Sequence, residues 1–217
     1  MRIGIVGSGN VGSTLAELFI RAGHEVTLSH AGAPDELRDL VTRLGERARA
    51  TTVTEAVRQG DVVVLALPFG RYRELPPEPF RGKIVVDATN YYPSRDGVFA
   101  EIDDGRATSS ELIDRHLGEA RLVKALNNLP MAVLEEKARP RGAPDRIALP
   151  LSSEYPEAKS VVARLIDQIG FDPVDLGGLV DGGRLYQQGG LLYLKPQTAA
   201  EQLRTLGVRA FEQPHAH

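Results

Sequence analysis

The chain begins with a short apolar run, Arg2-Ile3-Gly4-Ile5-Val6, and passes directly into Gly7-Ser8-Gly9-Asn10-Val11-Gly12. Leu15, Leu18 and Phe19 then recur at helical spacing until Ala22-Gly23. A G-x-G-x-x-G pattern says little in a loop, but between a strand and a helix each glycine has its own physical use. Gly7 permits the tight turn, Gly9 lets the backbone approach a pyrophosphate, and Gly12 allows close helix-strand packing with the helix N–H groups facing the phosphates. The residues Gly7, Ser8, Gly9, Asn10, Val11 and Gly12 are therefore expected to form a dinucleotide cradle.

Further apolar, β-branched runs at Glu25 to Leu28, Asp61 to Leu67, Lys83 to Asp87 and Arg121 to Leu126 alternate with amphipathic stretches. That alternation predicts a parallel sheet with crossover helices. Val62 to Leu67 and Ile84 to Val86 lack polar alternation, as strands covered on both faces do. The expected fold is α/β, a doubly wound parallel sheet. Beyond residue 130 Pro140, Gly142, Pro144 and Pro150 interrupt the chain, and glycines crowd residues 177–190. Two parts are expected: residues 1–130 as the dinucleotide-binding domain and 131–217 as a small C-terminal α/β extension on the substrate side. In the extension the pattern predicts strands at Arg146 to Leu151 and Pro173 to Leu176, a helix within 153–170 that stops at Gly170, and a last helix from Thr198 to Leu206.

Composition narrows the chemistry. The formal charge of −3 shows no basic excess of the kind a nucleic-acid binder carries. The absence of cysteine excludes disulfides, thiolate metal sites and cysteine nucleophiles, so any redox work falls to a bound cofactor. No metal site is expected, because His24 sits in a turn, His116 at a helix end, and His215 and His217 in the tail. The longest apolar run, Val62 to Phe69, is far short of the ~20 residues of a membrane span, and no apolar leader follows Met1. A cytoplasmic protein without membrane or nucleic-acid partners is expected.

An NAD-specific site places Asp or Glu at the end of the second strand, against the ribose 2′-OH. Here that strand runs Val26-Thr27-Leu28-Ser29-His30-Ala31-Gly32. Ser29 and His30 can donate to a 2′-phosphate and Arg38 follows on the next helix, so NADP is expected over NAD. Ligands of such sheets lie beyond the carboxyl ends of the strands. Those ends carry Leu67-Pro68-Phe69, Asn90-Tyr91-Tyr92 and Asn127-Asn128-Leu129-Pro130, amides and flat apolar groups that can orient a carboxamide or ring carbonyl without titrating. Tyr155 and Lys159 have the Tyr-x-x-x-Lys spacing of short-chain dehydrogenases, but Pro156 puts Tyr155 at a helix start, and they are not taken as catalytic.

Taken with the N-terminal unit, Val64-Leu65-Ala66-Leu67-Pro68, Val86-Asp87-Ala88-Thr89-Asn90, Val123-Lys124-Ala125-Leu126-Asn127 and the late Asp175-Leu176-Gly177-Gly178-Leu179 and Gly183-Arg184-Leu185 resemble the NADPH-dependent coenzyme F420 reductases (F420H2:NADP oxidoreductases) and their Rossmann-fold reductase relatives. The resemblance spans nearly the whole chain. It implies a Rossmann domain with a small C-terminal domain, NADP(H) across the strand ends and a deazaflavin stacked on the nicotinamide. On that basis Gly7, Gly9, Gly12, Ser29 and His30 take the adenosine and phosphates, and Leu67, Pro68 and Asn90 the nicotinamide ribose. Asn127 and residues 177–184 take the second substrate, with Asn90 and Asn127 as orienting rather than acid-base groups. Relatives carry an arginine after the second strand where this chain has His30-Ala31-Gly32. Other readings stay open: NADPH-dependent reduction of a flavin, quinone, imine or keto acid, the last two needing a donor such as Lys124 or Tyr91, or an NADP-binding sensor that transfers no hydride. Homodimerisation is expected, since an extension of this size has little core of its own.

Overall fold

The structure, a computed structural model, describes residues 1–207. The first half alternates strand and helix: β1 (Arg2–Val6), α1 (Asn10–Arg21), β2 (Glu25–Ser29), α2 (Arg38–Leu44), β3 (Ala48–Ala50), α3 (Val53–Gln59), β4 (Val62–Leu65) and β5 (Ile84–Asp87). Short helices α4 (Pro93–Asp96) and α5 (Ala100–Asp103) lead to α6 (Ser109–Leu117) and β6 (Arg121–Ala125). Then follow α7 (Met131–Lys137), β7 (Ala148–Ser152), α8 (Pro156–Gln168), β8 (Asp172–Asp175), α9 (Asp181–Arg184) and α10 (Ala199–Thr205).

All eight strands form one sheet in the order β3-β2-β1-β4-β5-β6-β7-β8, parallel except where β7 runs antiparallel to β6. The first six strands have the Rossmann order, with the order of strand addition reversing between β1 and β4. The unbroken apolar runs have the expected cause. Val62 and Val64 of β4 enter the core on one face of the sheet, while Val63 and Leu65 enter a separate core on the other. β3 was not anticipated, because three residues with an arginine at the centre show no apolar pattern.

Residues 131–207 continue this sheet. Ile147, Leu149, Val162 and Ile166 share a core with Ile3, Leu28 and Val64, so packing is continuous across the expected division at residue 130. The β6/β7 ladder is brief, with Lys124 opposite Ser152 and Ala125 opposite Leu151. Pro150, which has no N–H to give, stands where Leu126 would pair next. Leu126 there adopts φ 64° and turns the chain out of the sheet toward Asn127. A proline in β7 thus ends a strand pair at the point where the following residues reach the cleft.

Beneath that turn Lys124 and Asp87 are both almost wholly buried and lie 3.1 Å apart. Thr89 O also accepts from Lys124 Nζ at 2.7 Å, and the Asp87 carboxylate takes Ser110 Oγ at 2.6 Å and Thr89 N at 2.9 Å. Burial lowers the Lys124 pKa, and the Asp87 charge opposes that shift. Removing one member of such a pair leaves an uncompensated buried charge. Asp87→Ala is expected to cost about 3–5 kcal/mol of stability, measured by urea unfolding; a loss under about 1 kcal/mol would show that the pair does not hold β5 to β6.

Candidate functional site

Three backbones converge at the fingerprint. Gly7 has φ 110°, and a Cβ there would stand 2.2 Å from Ala66 O on the segment leaving β4. A Cβ on Gly12 would stand 1.9 Å from Gly7 O. Gly9 is different, because a Cβ there would meet nothing within 4 Å. Gly7 and Gly12 therefore serve packing, whereas Gly9 borders open space at the start of α1. No side chain caps that helix and no acidic residue occupies its first turn, so its N–H groups and positive dipole end remain available to an anion.

A cavity lies on each side of this loop. The first, about 390 Å³, is bounded by Gly7, Ser8, Gly9, His30, Leu67 and Pro68, with Arg71 and Glu74 on its outer wall. The second, about 370 Å³, takes Asn10 and Val11 from the loop and Asn90, Tyr92, Asn127 and Tyr193 from the other strand ends. An extended ligand with its diphosphate at the start of α1 would occupy the first and present its far end to the second. The open space at Gly9 and the uncapped helix fit a dinucleotide.

The expected contacts to a 2′-phosphate need correction. Ser29 is fully buried and its Oγ donates to Ile5 O at 2.9 Å, because as the last paired residue of β2 it still faces β1. Arg38 points away, mostly exposed and ion-paired with Asp35 at 3.4 Å. Of the three, His30 alone lines the cavity, with Nε2 2.9 Å from Ala33 O and 3.9 Å from Glu36. Sequence reasoning missed Arg71, whose Nε bonds both oxygens of Glu74 at 3.0 Å. Its signal was an arginine three residues beyond Pro68, on the turn that follows β4.

Asn90 and Asn127 are brought together. Asn90 Nδ2 donates to Asn127 O at 2.8 Å, while Asn127 Nδ2 donates to Asn90 Oδ1 and to Tyr186 O, both at 3.1 Å. Backbone carbonyls thus fix which way both amides face. Asn127 Oδ1 is left buried without a partner among the described residues. Residues 177–184, expected at the second substrate, do not line either cavity. Gly182 packs instead on Leu176 O and Ser152 Oγ, and the loop supports Asn127 from behind through Tyr186.

The side chains considered as proton donors are engaged elsewhere. Lys124 is committed to Asp87 and Thr89 O. Tyr91 is buried, its hydroxyl donating toward Asp103 and accepting from Phe99 N. His24 faces Gln168 and His116 faces Leu75 O, while Lys159 pairs with Asp175. His215 and His217 lie outside the described residues. The groups at the second cavity that sequence reasoning did not assign are the hydroxyls of Tyr92 and Tyr193, hydrogen-bonded to each other. Among the described residues no helix is long and apolar enough to cross a membrane.

Residues 2–91, from β1 to just past β5, match the family described as NADP oxidoreductase, coenzyme F420-dependent. A hypothetical protein from Sinorhizobium meliloti is 34% identical, with 89% of this chain and 92% of that one covered and a TM-score of 0.77. The chain belongs to the F420-dependent NADP oxidoreductase family. Another protein of known structure, from Arthrobacter sp. FB24 and provisionally named an F420-dependent NADP reductase, is 25% identical over 82% of this chain and 86% of that one, with a TM-score of 0.69. A curated relative, the UDP-glucose 6-dehydrogenase AglM of Haloferax volcanii, is 28% identical over 82% of this chain. The present chain spans about half the length of that relative, 48%.

The glycine geometry separates packing from binding. Gly9→Ser, at a helix N-cap where serine is favoured, is expected to leave stability within about 1 kcal/mol, yet to fill the open space and occupy the helix N–H groups. NADPH affinity should fall at least tenfold in an isothermal titration. Gly12→Ala should instead cost about 1–3 kcal/mol or more through overpacking against Gly7 O. Equal binding by Gly9→Ser and the parent chain would remove the loop from the binding site.

Proposed function

We propose that this chain is a cytoplasmic oxidoreductase that moves a hydride between NADP(H) and a flat conjugated acceptor, with the deazaflavin coenzyme F420 as the favoured acceptor. The observation that carries this reading is the pair of cavities either side of an open, uncapped α1, the second of them lined by amides and phenols and no carboxylate or imidazole. Bound NADPH would supply the hydride, so the chain itself need only hold two rings in register and keep water away. Family membership and the Arthrobacter relative support F420 in particular.

Each residue has a distinct task under this reading. Gly9 and the first turn of α1 receive the diphosphate. Leu67 and Pro68 form an apolar wall of the first cavity. Asn90 and Asn127, locked by their mutual bonds, orient the reacting rings without titrating. Selectivity for a 2′-phosphate falls to His30 and to Arg71, since no carboxylate ends β2. The Arg71–Glu74 pair is exposed, and such pairs add little stability. The guanidinium can therefore exchange a carboxylate for a phosphate, which it binds with the same fork geometry. A pairing of two copies belongs to the same reading, because Leu191 and Leu194 are exposed beside the second cavity and a second chain would cover them.

Purified protein mixed with NADPH and oxidised F420 should lose absorbance at 340 nm. If it does not, and a panel of flavins and quinones also fails, hydride transfer is refuted, and tight NADPH binding without turnover would favour a sensor. Arg71→Gln should lower the preference for NADPH over NADH at least tenfold, read as a ratio of dissociation constants, with NADH binding little changed. An unchanged ratio would exclude Arg71 from the phosphate site.

A further inference from the structure

Two tyrosines from distant parts of the chain meet at the second cavity. Tyr92 follows β5, Tyr193 lies between α9 and α10, and their hydroxyls hydrogen-bond across 101 residues of sequence. Two phenols carry two protons and use one for their mutual bond. Among the described residues neither oxygen has another partner, so one O–H is left over. The Arg95 guanidinium stands 4.8 Å from the centre of the Tyr92 ring, donates to Asn90 O at 2.7 Å and is paired with the buried Asp96 carboxylate at 2.8 Å, so it holds the Tyr92 ring without adding an uncompensated charge. On the same cavity Asn127, only 3% exposed, retains an unpartnered Oδ1 whose orientation is fixed by the two carbonyls that take its N–H groups. The remaining lining is largely apolar, with Leu126, Leu129 and Met131. Besides the amides of Asn10 and Asn90, the cavity thus offers one spare O–H donor from the tyrosine pair and one spare acceptor at Asn127 Oδ1.

We propose that the Tyr92–Tyr193 pair recognises the acceptor, donating its spare O–H to a ring carbonyl or ring nitrogen conjugated with the carbon that is reduced. This inference rests on the hydride-transfer reading above. Negative charge grows on such a heteroatom as the ring gains electrons, and the hydroxyl donates to it in a cavity whose lining carries no carboxylate. Burial pushes the Tyr193 pKa above the ordinary tyrosine value, so the phenol keeps its proton and serves as a donor at neutral pH. The acceptor class is then defined more narrowly than by flatness. It carries a hydrogen-bond-accepting heteroatom in conjugation with its reducible carbon, and an N–H on the same edge would also satisfy Asn127 Oδ1. A ring with both, such as one bearing a cyclic imide, would match the two spare groups at once.

The test is equilibrium binding. The full chain and the double variant Tyr92→Phe/Tyr193→Phe are titrated with oxidised F420, followed by ligand fluorescence without NADPH, and separately with NADPH. Loss of one hydrogen bond should weaken F420 binding about tenfold in the double variant, with NADPH affinity within about threefold of the parent. Unchanged F420 affinity would overturn the assignment of the tyrosines while leaving hydride transfer intact. A parent chain that binds none of F420, FMN and menadione would refute the acceptor reading and this inference with it. If the double variant also loses NADPH, Tyr92→Phe and Tyr193→Phe are titrated singly. Each keeps one O–H, now free of the mutual bond, so F420 affinity should stay within about threefold of the parent in at least one of them, and a tenfold loss in both overturns the proposal that the pair shares one spare proton.

Discussion

Backbone crowding at Gly7 is the constraint from which the rest of the cleft follows. The oxygen of Gly7 touches the space above Gly12, and the α-carbon of Gly7 itself lies against Ala66 O, so β1, α1 and the segment after β4 come together without any side chain between them. Any Cβ at Gly7 or Gly12 would push one of the three away. Because none is present, the start of α1 lies directly over the sheet where the strand order reverses, and its unsatisfied N–H groups open between the cavities instead of against protein. The strand-end loops can then face one another across a gap of ligand dimensions.

The reacting side of the cleft depends on a different device. Asn127 is placed by the early end of the β6/β7 ladder at Pro150 and by the left-handed turn at Leu126. Below it the Lys124–Asp87 pair, with Ser110 and Thr89, joins β5 to β6 at the level where both strands release their catalytic-side loops. A buried ion pair gains little over apolar packing in free energy. Its geometric consequence here is that Asn90 and Asn127, three residues beyond each member of the pair, leave the sheet in register and meet.

Much of this was legible in the sequence because it is local or periodic. The glycine fingerprint, the unbroken apolar strands and the amides at strand ends each follow from residue spacing, and the α/β sheet agrees with them. The residues that escaped are those whose position depends on long-range contacts or on strand facing. Ser29 and His30 are neighbours, yet pairing with Val6 turns the first inward to Ile5 O and leaves the second at the cavity. Tyr193 meets Tyr92 where Leu194 N donates to Asn128 O at 2.7 Å, a contact with no local signal. β3 is too short to show a period, and the glycines of 177–184 suggested an open loop where buried Gly182 packs closely on Leu176 O and Ser152 Oγ instead.

The absence of carboxylates and imidazoles from the lining of the second cavity separates hydride transfer from most other chemistry the fold supports. A general acid near neutral pH needs a group tuned to that range, and the buried groups that burial could tune here are already held: Lys124 by Asp87, Tyr91 by Asp103, His24 by Gln168. The amides and phenols that remain can only donate, accept and orient. Such a lining suits a reaction whose electrons move between two conjugated rings, where the protein must place dipoles on the heteroatoms and fix the distance between faces. It suits poorly a substrate whose leaving group must be protonated. The chemistry of this cleft is therefore constrained as much by the structural commitments of its ionisable neighbours as by the side chains that face it.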